Sequence, residues 1–470
     1  MSKFTTEDQI EAYNLELLDA LGYGYKHGKI LEPEGAAPER QSFGDVLLKD
    51  RLTQAIARLN PHIPPATRHQ AQRELQNIAS PDLINNNEIF HRYLTEGITV
   101  EYTKNGETKG EQLWLIDWNT PANNEFLAVN QFTVIEDNHN RRPDIILFIN
   151  GLPLVVIELK NAADAKAHLQ AAFNQLQTYK REIPSLFTYN ALLVISDGTS
   201  ARAGSLSASY SRFSQWKRKL PNGDIDNDPN TNELEILTQG MLNKGSLLDL
   251  IRHFTVFEKI KTVDPKTEVV TLQTIKKLAA YHQYYAVNLA VESVTTATRT
   301  THRGGVVWHT QGSGKSLSMV FLSGKLVLTL NNPTLVILTD RNDLDDQLFD
   351  TFAGCRQLLR QAPQQASDRD AVRELLNVNS GGIIFTTVQK FSPQDNETIY
   401  PKISDRTNIV VLADEAHRSQ YGFKAKQVNI KDEAGNVRIL AERYRNRRKR
   451  FGLRFNLIAA ILNFELALTS

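Results

Sequence analysis

The chain is poor in the residues that cross-link or anchor a protein. It has one cysteine, Cys355, so it cannot form an internal disulfide and has too few thiols for a structural zinc site. No window reaches the roughly 18 uninterrupted apolar residues that a membrane helix requires, and the N-terminus lacks the apolar core of a signal peptide. These absences predict a protein of the reducing cytoplasm that has no membrane partner.

The chain also lacks a strong charge of either sign. Its net charge is +1, so any nucleic-acid surface must be a local basic patch and not a global field. With 41% hydrophobic and 23% charged residues, the composition is that of an ordinary folded protein. Because a domain usually has about 100–200 residues, a chain of 470 residues predicts at least two domains.

Hydrophobic periodicity in the first half predicts an α/β domain. Apolar residues recur at helical spacing from Thr6 to Leu21, and residues 44–80 also have a helical pattern. Residues 145–157 are two apolar runs hinged at Asn150-Gly151, which is a strong hairpin signal. A helix is predicted to follow from about residue 163 to residue 181.

The pattern changes in the second half. Four apolar segments separated by helical lengths predict a doubly wound parallel sheet: GGVVWHT (304–310), TLVILTD (334–340), GGIIFTTVQ (381–389) and NIVVLADEA (408–416). We therefore predict one domain over residues 1–260, a second over 261–437, and an atypical tail over 438–470.

Three charged residues of the first half suit phosphodiester hydrolysis. Asp144 and Glu158 flank the predicted hairpin, and two carboxylates can hold Mg²⁺ while Lys160 stabilises charge on a phosphate. A strict two-residue turn would pair Asp144 with Ile157 and put Glu158 on the opposite face. The site therefore predicts a three-residue loop or a β-bulge, with Gly151 at positive φ.

This pattern resembles the PD-(D/E)xK nuclease superfamily. The sequence pattern of this superfamily is matched in full by Pro143, Asp144, Glu158, Leu159 and Lys160. The resemblance implies a mixed sheet flanked by helices, with Asp144 and Glu158 as magnesium ligands. The alternative is a surface hairpin that carries ordinary charges.

The same resemblance implies further site residues on two helices. Gln175 and Tyr179 form Q-x-x-x-Y on one helix face, as in nucleases of this superfamily that contact DNA beside the metal. An acidic residue of the opening helix commonly completes the metal site, and Glu11 is the candidate, with Glu7 as its rival. The alternative for each is a solvated helix face.

The segment WHTQGSGKSL predicts a phosphate-binding loop, because it follows an apolar strand and opens a helix. Gly312, Ser313 and Gly314 let backbone amides surround the phosphates of ATP. Lys315 would reach the β- and γ-phosphates, and Ser316 would hold the magnesium ion. The alternative is an ordinary surface loop.

A buried strand farther along ends in DEAH, in which Asp414 can hold the magnesium shell and Glu415 can orient the attacking water. With the GSGKS core, this resembles superfamily 2 helicases. The resemblance implies that Gln283 reads adenine and that His417 couples hydrolysis to the DNA surface. The sequence departs from the family pattern at His309, where a glycine is usual.

A nuclease followed by a DEAH motor resembles the restriction (R) subunit of type I restriction-modification enzymes, over about residues 1–437. WHTQGSGKS, LTDRNDLDDQL and DEAHRSQYG are close to that family's own versions. The resemblance implies ATP-driven translocation coupled to cleavage of double-stranded DNA. It implies methyltransferase and specificity subunits as partners, with S-adenosylmethionine bound by the methyltransferase. The alternatives are a DNA-repair helicase-nuclease, disfavoured by the domain order, and an inert remnant that at most binds.

The last segment departs from that family, which would continue to a second RecA-like lobe with arginine fingers. Between Arg438 and Arg454 there are eight Lys or Arg residues and one acidic residue. We interpret the segment as a frameshifted or truncated terminus, with a nucleic-acid patch as the alternative. Because hydrolysis needs charge stabilisation from both lobes, nucleotide binding with little or no translocation is predicted.

Overall fold

The chain divides into two compact units, Met1–Tyr284 and Tyr285–Ser470. The computed structural model describes residues 6–104, 106–161, 169–220, 226, 232–263, 270–310, 312–339, 342–387, 390, 404, 406–414, 429–431 and 437–439. Both units combine helices with a sheet, which confirms the predicted α/β class.

The helices of the first unit lie mostly outside the strand-rich middle of its sequence. They are α1 (Glu7–Ala20), α2 (Gly28–Leu31), α3 (Lys49–Leu59), α4 (Pro65–Gln76), α5 (Leu83–Glu96), α6 (Leu169–Glu182), α7 (Pro184–Thr188), α8 (Glu233–Gly240) and α9 (Lys244–His253), with short 3₁₀ turns at Pro121–Asn123 and Tyr210–Arg212. The predicted cap of α1 is confirmed, since the Thr6 side chain accepts a hydrogen bond from the backbone N–H of Gln9.

The strands of the first unit form one mixed sheet and three two-stranded ribbons. They are β1 (Gly24–His27), β2 (Ile98–Lys104), β3 (Glu107–Leu113), β4 (Phe126–Asn130), β5 (Val134–Glu136), β6 (His139–Arg141), β7 (Ile145–Ile149), β8 (Leu152–Leu159), β9 (Leu192–Ser196), β10 (Ala201–Gly204), β11 (Thr255–Val263) and β12 (Val270–Leu278). The six-stranded sheet has the order β1-β4-β7-β8-β9-β10. Strands β1 and β4 are parallel, as are β8 and β9, and the other neighbours are antiparallel.

Strands β7 and β8 are the centre of this sheet, and every residue in both is buried. A strand covered on both faces needs apolar residues along its whole length, which explains the continuous runs of Ile, Leu, Val and Phe. Glu158 is the one ionisable residue of these two strands, and its exposed fraction is 0%. Its burial therefore requires an explanation other than packing.

The β7–β8 hairpin contains the predicted bulge. Ile149 pairs with Leu152 across a two-residue turn, but Leu147 pairs with Val155, so Leu154 is an extra residue in β8. Asn150 and Gly151 both have positive φ, at 52° and 81°, as a tight hairpin turn requires. Of the two predicted alternatives, the structure has the bulge and not the three-residue loop.

Gly151 is required at the tip of this hairpin for two reasons. Its φ of 81° is strained for any residue with a side chain, and an added Cβ would lie 2.5 Å from the carbonyl oxygen of Leu48. The carbonyl oxygen of Gly151 accepts a hydrogen bond from the backbone N–H of Leu48 at 3.0 Å, so the hairpin tip packs directly against the start of α3. The turn therefore joins the central hairpin to a helix as well as reversing the chain.

The second unit has a parallel sheet with helices. Helix α10 (Tyr281–Ala297) begins in the first unit and continues into the second, and the later helices are α11 (Lys315–Thr329), α12 (Asn342–Gly354), α13 (Arg356–Leu359) and α14 (Arg369–Leu376). The strands are β13 (Thr334–Thr339), β14 (Pro363–Gln365), β15 (Ile383–Thr387), β16 (Ile409–Ala413), β17 (Asn429–Lys431) and β18 (Val437–Ile439). Within the described ranges, no helix of either unit is long and apolar enough to cross a bilayer.

Strands β13 to β16 form the four-stranded sheet, in the order β14-β15-β13-β16, and all of its neighbours are parallel. One face packs against α14 through a buried cluster that includes Val336, Val372 and Ile384. This arrangement confirms the parallel sheet predicted from the apolar segments at 334–340, 381–389 and 408–416.

The remaining prediction, a strand at residues 304–310, is wrong. These residues have no regular secondary structure, and Val306, Val307 and Trp308 have exposed fractions of 40%, 48% and 70%. Gly305 has a φ of 120°, which lies outside the β region. An apolar run forms a strand only where a neighbouring strand accepts its hydrogen bonds, and its composition alone could not supply that partner.

The division between the units lies later in the sequence than the predicted boundary near residue 260. Strands β11 and β12 are paired from Thr255 with Leu278 to Val263 with Val270, so the predicted boundary falls inside an antiparallel hairpin. The first unit continues through this hairpin to Tyr284. The β11–β12 hairpin could not be recognised from the hydrophobic pattern, because the apolar segments typical of the second unit begin only after it.

A substitution at Gly151 tests the hairpin geometry. We expect Gly151→Ala to lower the free energy of unfolding of the first unit by roughly 2–4 kcal/mol, because it adds backbone strain and a steric clash. Chemical denaturation measures the change. Gly110→Ala is the matched control, since Gly110 lies in β3 without positive φ and its added Cβ would meet no atom within 4 Å. Equal stability of the two variants would contradict the role assigned to the turn.

Candidate functional site

The candidate nuclease site lies where β7 begins and β8 ends. Because of the bulge, Ile145 pairs with Ile157, and this register carries Asp144 opposite Glu158 on one face. One carboxylate oxygen of Asp144 accepts the backbone N–H of Leu159 at 2.7 Å. The ammonium of Lys160 lies 2.8 Å from Oε1 of Glu158. The structure therefore brings together the three charged residues that were predicted from the sequence. Asp144, Glu158 and Lys160 are called the carboxylate cluster below.

The second carboxylate oxygen of Glu158 makes this cluster suitable for binding a cation. Oε2 is buried and has no hydrogen-bond partner among the described residues. A buried carboxylate oxygen without a donor is costly, and a hard divalent cation is the kind of group that satisfies it. Within the described part of the chain, no three His, Cys, Asp or Glu side chains are grouped so as to hold a metal ion. Two carboxylates are thus the core of any cation site here.

Burial controls the protonation of these carboxylates. It raises the pKa of Asp144 to about 6, against the hydrogen bond from Leu159 and the charge of Lys160. Burial and the nearby charge of Asp144 raise the pKa of Glu158 to about 8. Burial lowers the pKa of Lys160, but the charge and hydrogen bond of Glu158 outweigh it, so the net shift is upward. Without a cation, the pair retains a proton near neutral pH.

Glu11 and Glu7 both approach the cluster from α1. The charge of each raises the pKa of Asp144, and Oε1 of Glu7 lies 4.0 Å from Nζ of Lys160. The two oxygens of Glu11 accept hydrogen bonds from the side-chain amides of Asn130 and Gln131. That Glu11 is a metal ligand stays a prediction, with Glu7 still its rival.

The contacts of Asn130 and Gln131 with Glu11 were not predicted from the sequence. Asn130 and Gln131 are two polar residues directly after four apolar residues of β4, so the abrupt end of the apolar run was the available signal. Polar residues commonly end strands, however, and nothing in the sequence connects them to α1. Their role depends on a contact between residues about 120 positions apart, which only the fold creates.

Gln175 and Tyr179 lie on α6, one helical turn apart as predicted. The Gln175 amide donates a hydrogen bond to the Tyr179 hydroxyl, which in turn lies 3.5 Å from the carbonyl oxygen of Arg142. Burial and the charge of Glu158 raise the pKa of Tyr179. Both residues therefore border the carboxylate cluster, while their predicted contact with DNA stays a prediction.

The predicted phosphate-binding loop precedes α11 in the second unit. Gly312 and Gly314 have φ values of 82° and 79°, and Gly314 is the N-cap of a helix that begins at Lys315. The backbone N–H of Ser313 donates to the carbonyl of Thr310 at 3.3 Å. Such a turn directly before the N-terminus of a helix is the backbone geometry that suits a phosphate. Ser316 is the second residue of that helix.

The other predicted nucleotide residues are distributed over both units. Asp414 directly follows β16, and its backbone N–H donates to the carbonyl of Leu338 at the end of β13. Glu415 and His417 lie outside the described residues. Gln283 belongs to the first unit, is 5% exposed, and its side-chain oxygen accepts the backbone N–H of Ala280 at the start of α10. Its predicted contact with adenine stays a prediction.

Comparison with known proteins finds two separate matches along the chain. Residues 4–212 match the family model for the type I restriction enzyme R protein N terminus, and residues 282–441 match the SWI2/SNF2 ATPase model. The type I restriction enzyme HindI endonuclease subunit of Haemophilus influenzae is 45% identical over 93% of this chain. The chain belongs to the type I restriction enzyme R protein family.

Relatives within the R protein family are considerably longer. The chain spans 41% of the Haemophilus influenzae protein. It spans 42% of a putative type I restriction enzyme endonuclease subunit of Methanocaldococcus jannaschii, which is 34% identical over 94% of this chain. The R protein N-terminal match includes every residue of the carboxylate cluster, and the ATPase match includes the phosphate-binding loop and Asp414.

The raised carboxylate pKa values predict how the stability of the chain depends on pH. Between about pH 5 and about pH 8 the unfolded chain has ionised Glu158 while the folded chain retains the proton, so stability falls as pH rises. Calorimetry in EDTA should show Glu158→Gln close to the native chain at the lower pH. At the higher pH the variant should be more stable, by on the order of 1 kcal/mol.

Glu182→Gln is the control of opposite sign. A hydrogen bond from Arg141 lowers the pKa of Glu182, so its contribution to stability is present at higher pH and is lost on acidification. We expect this variant to be less stable than the native chain at about pH 8. A constant difference between Glu158→Gln and the native chain across the pH range would refute the buried, proton-retaining carboxylate.

Proposed function

We propose that the first unit is a PD-(D/E)xK endonuclease domain that cleaves double-stranded DNA with Mg²⁺, and that the second is a RecA-like ATPase lobe of a DNA translocase. The observation that carries this proposal is the convergence of Asp144, Glu158 and Lys160 on one face, with a buried Glu158 oxygen that has no hydrogen-bond partner among the described residues. Membership of the R protein family supports the pairing of the two activities.

Each residue of the carboxylate cluster has a defined chemical task in this proposal. Asp144 and Glu158 supply oxygen ligands, and Mg²⁺ bound there supplies positive charge beside the scissile phosphate. Lys160 is held at the site by Glu158, so its ammonium can donate to a phosphate oxygen on which negative charge develops. Because Glu158 is buried, these charges act in a medium of low dielectric constant, where they are stronger than in water.

The second unit would bind ATP through its phosphate-binding loop. The backbone N–H groups of residues 312–316 surround the phosphates, and the helix dipole of α11 favours their negative charge. Lys315 contributes a positive charge, and Ser316 and Asp414 supply oxygens to the magnesium ion of the nucleotide. From the resemblance, Glu415 orients water, His417 couples hydrolysis to DNA, and Gln283 reads adenine.

The whole enzyme would be a type I restriction endonuclease. In that assembly this chain cuts DNA and contributes to translocation, while methyltransferase and specificity subunits recognise the target. S-adenosylmethionine would bind only the methyltransferase. The endonuclease subunit names of the relatives support this proposal. The R protein N-terminal match also favours restriction over the DNA-repair alternative.

Plasmid cleavage tests the nuclease assignment. The full chain, with methyltransferase and specificity subunits, ATP and Mg²⁺, should nick or cut a target-bearing plasmid. Glu158→Ala and Lys160→Ala should each lower the rate roughly 100-fold or more, since they remove a cation ligand and a phosphate-stabilising charge. Glu101→Ala is the control, because Glu101 is exposed on β2. Cleavage that survives Glu158→Ala would overturn the assignment.

Nucleotide binding tests the second unit separately from cleavage. A fluorescent ATP analogue with Mg²⁺ should bind the full chain, and Lys315→Ala should weaken binding about 10-fold or more, which corresponds to about 1.4 kcal/mol. Arg373→Ala is the matched loss of a positive charge on α14, where Arg373 pairs with the exposed Asp370. Equal affinity of the native chain and Lys315→Ala would contradict the phosphate-binding role of the loop.

A further inference from the structure

Glu11 is held by two neutral amides at the border of the carboxylate cluster. Nδ2 of Asn130 donates to one oxygen of Glu11 at 2.6 Å, and Nε2 of Gln131 donates to the other at 2.5 Å. The hydroxyl of Tyr25 donates to Oδ1 of Asn130 at 3.1 Å, so the Asn130 amide has its oxygen and nitrogen in defined directions. A series of hydrogen bonds thus runs from Tyr25 on β1 through Asn130 on β4 to the carboxylate of Glu11 on α1.

Gln131 is also connected to the other side of the cluster. Its backbone N–H donates to the carbonyl oxygen of Asp144 at 2.9 Å, directly before β7. Its φ is 53°, which is uncommon for a residue with a side chain. In this conformation one residue contacts Glu11 through its side chain and Asp144 through its backbone. A backbone conformation of this kind persists only where the surroundings stabilise it.

The choice of amides matters because of charge. The charges of Glu11 and Asp144 repel each other, and the charge of Glu11 raises the pKa of Asp144. Without donors, a glutamate on the surface of a helix would turn toward water, where its charge is better solvated. An arginine or lysine could hold Glu11 but would cancel the negative charge that attracts a divalent cation. Neutral amide donors hold the carboxylate and leave its charge in place.

We propose that Asn130 and Gln131 are positioning residues, which fix the negative charge of Glu11 beside Asp144 so that it strengthens the binding of a divalent cation by Asp144 and Glu158. This inference rests on the proposed nuclease function. The two residues act through Glu11 and are not themselves ligands. Groups that surround the direct ligands of a metal typically contribute 10- to 100-fold to its affinity, so the loss of either amide should weaken cation binding about 10-fold.

Cation binding by the full, nucleotide-free chain tests the proposal without relying on cleavage. Mn²⁺ is titrated by calorimetry after removal of metals with EDTA. Gln131→Gly removes the side-chain amide and accommodates positive φ without strain. Asn130→Leu removes the amide donor at similar size and adds no charge near the cation site. Asn138→Gly is the control, since Asn138 is exposed and has a φ of 67°.

We expect Gln131→Gly and Asn130→Leu each to raise the dissociation constant of Mn²⁺ about 10-fold, and Asn138→Gly to leave it unchanged. A double-mutant cycle identifies the route of the effect. In a chain that already carries Glu11→Gln, Gln131→Gly should change the constant less than about twofold, because the group on which it acts is gone. A loss of fold stability alone would not make the two effects depend on each other.

The possible results separate this proposal from the proposed function. If Glu158→Ala abolishes Mn²⁺ binding but Gln131→Gly leaves it unchanged, the positioning role is wrong and the cation site stands. If the effects of Glu11→Gln and Gln131→Gly simply multiply, Gln131 does not act through Glu11 and the proposal is also wrong. If the native chain shows no Mn²⁺ binding that depends on Glu158, the nuclease site itself is refuted together with its positioning residues.

Discussion

One extra residue in β8 is the constraint on which the candidate nuclease site depends. A two-residue turn at Asn150-Gly151 without a bulge would place Asp144 and Glu158 on opposite faces of the sheet. Leu154 shifts the register by one residue, and both carboxylates then point to the same side. The site is thus created by a local departure from regular pairing within a strand that is otherwise fully buried.

The position of this bulge also explains why the candidate site is energetically costly. An unsatisfied charge is costly in the middle of a sheet, yet Glu158 is buried there, and one of its oxygens has no donor in the part of the chain that the structure describes. The surrounding apolar strands compensate, since a long buried hairpin supplies far more favourable burial than two carboxylates remove. The rigidity of the same strands holds the side chains in place, as a cation site requires.

Much of this arrangement could be inferred from the sequence, because its causes are local. Turn residues and strand parity, together with the requirement that Asp144 and Glu158 share a face, were sufficient to predict either a three-residue loop or a β-bulge. The predicted strand at 304–310 was wrong, since strand formation there depends on a distant partner. The contacts of Asn130 and Gln131 with Glu11 could not be predicted for the same reason: they join segments about 120 residues apart.

The identity of the donors restricts which cation the site can hold. The side chains of Asp144 and Glu158 offer only oxygen atoms, and the one cysteine of the chain, Cys355, belongs to the second unit. Carboxylate oxygens favour Mg²⁺ and Mn²⁺, whereas a structural zinc site needs sulfur or imidazole ligands. Because burial raises the pKa of both central carboxylates, a proton competes with the cation for the same oxygens. A cation that binds here must therefore displace a proton, so its affinity should increase with pH over the range in which stability of the metal-free protein decreases.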